Sequence, residues 1–557
     1  MDFKPIPIGV EDFKELVNKG YYFVDKTLMI KDIIDIKSSV NLFTRPRRFG
    51  KTLNMSMIQR YFEKTEEDNA YLFEGLNISK AGEKYKEYQG QYPVITLSLK
   101  SMKQSCFEDA FLLFKNIISK EFYRHKEILS SDNISEVNKR EYFSIVEKTA
   151  DNSQYLYSLK LLSDCLKEAY NKNVIILIDE YDVPLESAYF GGFYDDMVNL
   201  IRSVFESALK TNPSLEFGIL TGCLRISRES IFTGLNNLAV YPMTENLFSQ
   251  YFGFTEEEVK EIVRFYNISN HFDELKTWYD GYRFGEIEIY NPWSILNYLL
   301  KAVTSKDVLP KPYWSNTSSN DIIHDLVVKG DNNIHNSIEK LLNNGTVTAP
   351  LYEDITYRNI DVNSDYIWSF LLFTGYLKAT RYFMEDDILY AEMVLPNKEI
   401  RSIYRNTITK WFKESIRKKG TDDLFNAVIQ GNTDAIETEI NCWLRKCISY
   451  HDNYENFYHG FLAGLLIGSD EYIVKSNRES GNGRSDIMIC EYQLRKIAVI
   501  IEIKVAGKFA ELDKKCDEAL QQIEDRSYET ELIDECYQNI IKYGVAFYQK
   551  SCKIKKA

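Results

Sequence analysis

The run Val174-Ile-Ile-Leu-Ile-Asp179-Glu180 constrains the fold more than any other stretch of this chain. It has no polar alternation, so neither face of the strand it forms can lie in water. That is the environment of a parallel sheet covered by helices on both sides. The strands Val40–Thr44 and Tyr92–Ser98 and a buried strand at Phe217–Leu220 share this apolar character. Amphipathic helical stretches over 104–170 and about 194–210 separate them. Strands alternating with helices predict an α/β sheet of βαβ units.

The residues at the strand ends carry the chemistry. Arg47-Arg48-Phe49-Gly50-Lys51-Thr52 follows the first strand and opens a helix expected to reach about Glu63. A turn at a helix N-terminus points backbone N–H groups and a positive dipole end at phosphates. Lys51 then reaches the β- and γ-phosphates of ATP, and the Thr52 hydroxyl is a Mg²⁺ ligand. The loop departs from G-x-x-x-x-G-K-[ST] because Arg45 stands where the first glycine belongs. Such a loop must turn differently, and Arg45, Arg47 and Arg48 are candidate phosphate contacts. Asp179 is expected to hold Mg²⁺ through water, with Glu180 as the general base that polarises the attacking water. After the strand Phe217–Leu220, Thr221 is placed to sense the γ-phosphate, and Arg225 or Arg228 is a candidate sensor or finger arginine. A surface arginine beside a turn is the competing reading.

Near the C-terminus, Asp486 is expected to open the strand Ile487–Cys490. A turn leads to Ile497-Ala-Val-Ile-Ile-Glu502-Ile-Lys504. Strand alternation puts Glu502 and Lys504 on one face, with Ile501 and Ile503 on the other. A hairpin turning near Leu494 sets Asp486 across from Glu502. Two carboxylates and a lysine converging at one sheet end suit metal-assisted phosphodiester hydrolysis. Asp486 and Glu502 would take Mg²⁺ while Lys504 orients water. Alternating charge on a solvated strand face is the competing reading. Ser476–Gly483 is expected to be a substrate-facing loop, and His459 either a phosphate contact or a helix-packing residue.

Several segments carry a family resemblance: Tyr22-Phe-Val-Asp-Lys-Thr27, Thr44-Arg-Pro-Arg-Arg-Phe-Gly-Lys-Thr52, Ser230-Ile-Phe-Thr-Gly-Leu-Asn-Asn237, Tyr279-Asp-Gly-Tyr-Arg283 and Tyr290-Asn-Pro-Trp-Ser294. Together they resemble the bacterial family of predicted AAA-ATPase-like proteins that carry a C-terminal PD-(D/E)xK nuclease-like domain. The resemblance implies that the missing glycine is a family trait. It also implies that Glu455 is an additional metal-binding acid and that Gln522 and Tyr528 contact nucleic acid. Tyr279–Phe284 and Tyr290–Trp293 read as turn chemistry joining helices.

The expected architecture is α/β: a P-loop AAA-like core (1–240), a helical lid (241–345), a candidate winged-helix region (346–410) built on a β-hairpin of Tyr376–Tyr382 and Ile388–Val394, and a helical linker with a restriction-endonuclease-like α/β domain (411–557). From about 240 to 345 the pattern is mostly helical, without comparable aliphatic strands. A net charge of −14 argues against a general electrostatic attraction to nucleic acid, although a local basic groove suffices for an enzyme that acts on DNA. The nine cysteines include no C-x-x-C pair, which fits reduced thiols. The start Met1-Asp-Phe-Lys-Pro5 lacks a secretory pattern, and no apolar run approaches the ~20 residues of a membrane helix. A cytoplasmic enzyme is expected, with ATP and Mg²⁺ as cofactors, nucleic acid as substrate and self-association to supply an arginine. Its role would lie in defence or the control of mobile DNA. The alternatives are a signalling-type regulatory ATPase whose C-terminal domain binds without cleaving, and an ATP-driven scaffold.

Overall fold

The computed structural model describes residues 3–210, 212–225, 231–232, 235–305, 308–316, 332–355, 357, 365–407, 422–447, 455–466, 472–480, 483–491 and 495–557. The chain divides into two compact units, one of residues 1–319 and 344–403, the other of residues 320–343 and 404–557. Both are mixed α/β.

The first unit is built on a five-stranded sheet of β1 (Val40–Thr44), β2 (Val94–Ser98), β3 (Val174–Asp179), β4 (Leu215–Gly222) and β5 (Leu238–Tyr241). All pairings are parallel and the order is β2-β3-β4-β1-β5. Every residue of β1 and β3 is buried, as an aliphatic run without alternation requires. In a parallel sheet all strands end on the same edge, so the loops after β1, β2, β3 and β4 gather there. Helices fill the long connections, among them Phe107–Arg124 and Ser158–Tyr170 before β3, and Tyr194–Phe205 before β4.

The region after β5 is less purely helical than its sequence pattern suggests. β6 (Phe254–Thr255), β7 (Tyr282–Phe284) and β8 (Ile287–Tyr290) form a small antiparallel sheet between the helices. These strands have two to four residues each, too short to leave a periodic signal. The Tyr279–Arg283 segment turns at Gly281, which has φ 99°, and a Cβ there would lie 2.1 Å from the Pro396 carbonyl oxygen. Only glycine fits that position.

A third sheet consists of β9 (Val347–Pro350), β10 (Lys378–Glu385) and β11 (Ile388–Val394), in the order β10-β11-β9, with the helix Asp365–Phe373 before the hairpin. The first strand of the hairpin starts and ends later than its pattern suggests, while the second, Ile388–Val394, has the expected bounds. The hairpin turn is the pair Asp386–Asp387, both at positive φ (47° and 62°), as a two-residue type I′ turn demands.

The second unit carries β12 (Tyr472–Ser480), β13 (Gly483–Glu491), β14 (Ile497–Val505), β15 (Asn539–Tyr548) and β16 (Ser551–Lys556), in sequential order. All pairs are antiparallel except β14–β15, which are parallel and joined through the helix Leu512–Asp525. Ser476–Ser480, expected to be loop, continues β12, and β13 begins at Gly483 rather than at Asp486. Cross-strand hydrogen bonding to β12 has extended a polar stretch that has no apolar alternation of its own. Val499, Ile501 and Ile503 pack on one face with Tyr458 and Phe461, while Ala498 and Ile500 pack on the other with Ile523 and Tyr528. Glu502 and Lys504 therefore belong to the face turned toward the helix Leu512–Asp525.

Candidate nucleotide and metal sites

The loop between β1 and the helix Lys51–Phe62 turns without the missing glycine because two later residues adopt left-handed backbone, Arg48 at φ 70° and Gly50 at φ 84°. For Arg48 this costs about 1 kcal/mol. The Arg48 guanidinium lies over the Trp293 ring, 4.3 Å from its centroid. Phe49 is fully buried against Tyr282 and Phe284 and anchors the loop. The Lys51 ammonium donates to the Arg45 and Pro46 carbonyls, 2.9 Å each, and lies 3.7 Å from the Cys223 sulfur.

The structure brings Thr52 and Asp179 together: the Thr52 hydroxyl donates to Asp179 Oδ2 at 2.7 Å. The Thr221 hydroxyl, from the end of β4, donates to the other carboxylate oxygen. The strand order explains this, since β4 lies between β1 and β3. Glu180 leaves β3 at φ 54°, its N–H pointing at the Thr221 hydroxyl 3.4 Å away. The turn puts its side chain into a pocket of about 250 Å³ that Lys51 and Thr52 also line. Burial, against the pull of Lys51, raises the Glu180 carboxyl above its ordinary value.

The candidate arginines diverge. Arg47 lines the pocket but is ion-paired with Glu186 on the helix Val183–Gly191. Arg45 does not line that pocket. It is fully buried, bonds the Thr44 and Tyr241 carbonyls at 2.8 and 2.7 Å, and lies between Phe252 and Phe284. A side chain this large can occupy a glycine position only by filling core space behind the loop. Arg225 is held by Asp354 at 2.7 Å and by Glu353 at 3.6 Å, and does not line the pocket. Arg228 lies outside the described residues.

An apolar wall and one buried acid escaped the sequence reading. Trp293 and Leu296, on the helix Pro292–Thr304, and Tyr22 and Val24 give the pocket its apolar wall. The Tyr290–Trp293 segment does more than turn the chain: Asn291 caps that helix, bonding the Ser294 N–H at 3.2 Å, and so presents Trp293 to the loop after β1. Asp182 is 3% exposed and accepts from the Cys223 and Leu224 N–H groups at 2.7 and 3.1 Å, tying the end of β4 to the acidic turn. The D-E-Y-D spacing was its signal.

In the second unit, Ile487 pairs with Ile501, so Asp486 stands opposite Glu502. Asp486 Oδ2 accepts from the Ile503 N–H at 2.8 Å. Glu502 is 2% exposed; its Oε1 receives Gln522 Nε2 and the Lys504 ammonium, the latter at 3.4 Å. Its Oε2 is buried without a hydrogen-bond partner. Burial, with Asp486 nearby, pushes Glu502 up to about 7. A carboxylate oxygen kept dry and unpaired beside a second carboxylate fits a divalent cation. Among the described residues no group of three or more acidic, His or Cys ligands surrounds one point. Glu455 begins the helix Glu455–Leu465, and its side chain lies outside the described residues. His459 Nε2 bonds the Asp486 carbonyl at 2.7 Å, holding that helix to β13. Tyr528 is buried, its hydroxyl 3.4 Å from Gln522 Nε2.

Comparison with known proteins follows this division. Residues 7–232 match the family described as predicted AAA-ATPase, and residues 453–557 match the PD-(D/E)XK nuclease superfamily. The chain is 24% identical over 334 residues to an uncharacterised protein in the vnfD 5′ region of Azotobacter chroococcum mcd 1, a match covering 59% of this chain and 57% of that protein. Among the described residues no helix is long and apolar enough to cross a membrane.

Proposed function

We propose that this chain, which joins an AAA-ATPase-like domain to a PD-(D/E)XK nuclease-like domain, hydrolyses ATP in the first and cleaves nucleic acid in the second. The observation that carries the reading is the hydrogen bond from Thr52 to Asp179, which unites the loop after β1 with the acid ending β3. Lys51 exchanges its two loop carbonyls for phosphate oxygens, and the backbone N–H groups opening the helix Lys51–Phe62 cradle them. Glu180, its basicity raised by burial, takes a proton from the attacking water. Trp293 and Leu296 exclude water from one wall.

At the second site Asp486 and Glu502 offer carboxylate oxygens to a metal, and Lys504 offsets charge on the phosphodiester. Bound Mg²⁺ would supply Lewis-acid stabilisation of phosphate oxygens at both sites. Gln522 holds Glu502 in place while its second oxygen stays open. The ATPase acts as switch or motor for cutting, in a cytoplasmic role directed at invading or mobile DNA, with copies of the chain associating.

The test is plasmid nicking with Mg²⁺ or Mn²⁺ and ATP. Activity that needs metal and disappears in both Glu502→Ala and Lys504→Ala supports the nuclease; equal nicking by all three proteins refutes it. A Glu180→Gln variant is expected to bind ATP without turning it over.

A further inference from the structure

Six cations line the nucleotide pocket: Lys26, Arg47, Arg48, Lys51, Lys100 and Lys103. Four of them have evident work. Lys26 is bonded to Glu258, Arg47 to Glu186, Arg48 lies on Trp293 and Lys51 is on the phosphate loop. Lys103 is exposed. Lys100 differs in how it is presented.

Lys100 lies two residues past the end of β2, the neighbour of β3 on the side away from the phosphate loop. Ser98 is the register partner of Asp179, and the Leu99 N–H donates to the Asp179 carbonyl at 3.0 Å. Leu99 and Met102 are each 1% exposed, and the Met102 N–H closes a turn onto the Leu99 carbonyl at 3.0 Å. Two buried anchors and a hydrogen bond to the acidic turn thus fix the backbone around Lys100. Its side chain stays 43% exposed, paired with Glu11, which lines the same pocket. Lys100 also acts electrostatically on Glu180, alongside Lys51.

We propose that Lys100 is a catalytic cation of the ATPase site, exchanging Glu11 for the γ-phosphoryl oxygens when nucleotide binds. This rests on the reading of the pocket as an ATPase. Water oxygen bonds to the γ-phosphorus, its proton goes to Glu180, and the bond to the bridging oxygen breaks with the electron pair leaving on ADP. Lys51 approaches that transfer from the β1 side of Glu180 and Lys100 from the β2 side, so charge spreading over the equatorial oxygens meets an ammonium on each flank. The same task falls to an arginine in other phosphoryl-transfer sites. Here Arg225 is held by Glu353 and Asp354.

The experiment measures steady-state ATP hydrolysis and binding of a non-hydrolysable ATP analogue by the full chain, comparing wild type, Glu180→Gln, Lys100→Met and Lys100→Arg. Lys100→Met is expected to lower kcat about 100-fold or more while the analogue Kd stays within about threefold, and Lys100→Arg to recover at least about tenfold of the lost rate. If kcat for Lys100→Met stays within about threefold of wild type, Lys100 is half of a surface ion pair and the proposal is overturned. Parallel loss of kcat and analogue affinity overturns it too, because that marks ground-state binding. A wild-type protein that binds no analogue and hydrolyses no ATP overturns the ATPase reading itself. Hydrolysis that depends on Glu180 yet ignores Lys100 overturns only the role of Lys100.

Discussion

Glu399 is fully buried, and replacing it with glutamine should stabilise the first unit at alkaline pH. Its carboxylate accepts the Ser294 hydroxyl at 3.0 and 2.8 Å and the Trp314 N–H at 2.9 Å. These bonds favour the charged form, but burial outweighs them and pushes the group from 4.5 up to about 7. The folded state thus holds this proton to a higher pH than the unfolded state does. Stability falls as pH rises from about 4.5 to about 7, and the full penalty stands above that. At about 1.4 kcal/mol per tenfold the gap is worth about 3 kcal/mol. Glutamine keeps an acceptor for Trp314 but brings a buried NH₂ needing a partner, at a cost of about 1 kcal/mol. The net gain for Glu399→Gln is about 2 kcal/mol at pH 8.5 and none of that gain at pH 4.5. Native-state hydrogen exchange on peptides spanning 292–316 and 398–407 measures it, with protection rising about thirtyfold at pH 8.5 if these segments open together. A variant less protected than wild type at pH 8.5, or an identical difference at both pH values, refutes the reasoning.

Other outcomes follow from the same geometry. Lys51→Ala should weaken ATP-analogue binding by about 100-fold or more, read by fluorescence titration, because it removes the ammonium at the mouth of the loop. Glu180→Gln should leave analogue binding intact and lower kcat by about 100-fold or more. Metal-dependent nicking should rise with pH through about 7, where Glu502 gives up its proton, and Glu502→Gln should abolish nicking at every pH. Asp387→Gly at the hairpin turn, now at φ 62°, should raise stability by up to about 1 kcal/mol in a denaturant melt.

Much of the first sheet was legible in the sequence. β1 and the start of the helix after it lie where the apolar run and the Gly50-Lys51-Thr52 turn put them, and β3 ends on the acid its aliphatic run leads to. In the second unit, period-two alternation placed Glu502 and Lys504 on one face, and the hairpin register set Asp486 opposite Glu502. These features are local. Each follows from a periodicity or a turn that a short window contains.

What the tertiary structure decided is which distant segments meet. The packing of Arg45 into the core between Phe252 and Phe284, the arrival of Trp293 over Arg48 and the binding of Arg225 by Glu353 and Asp354 all join residues far apart in the chain. The same holds for Lys100, which stands beside the acidic pair because β2 pairs with β3. Local pattern fixes that an apolar strand forms and which of its side chains are buried. The order of strands in a sheet is set by helix packing and hydrogen bonding over the whole domain, so the loops that share its edge become known only once that order is.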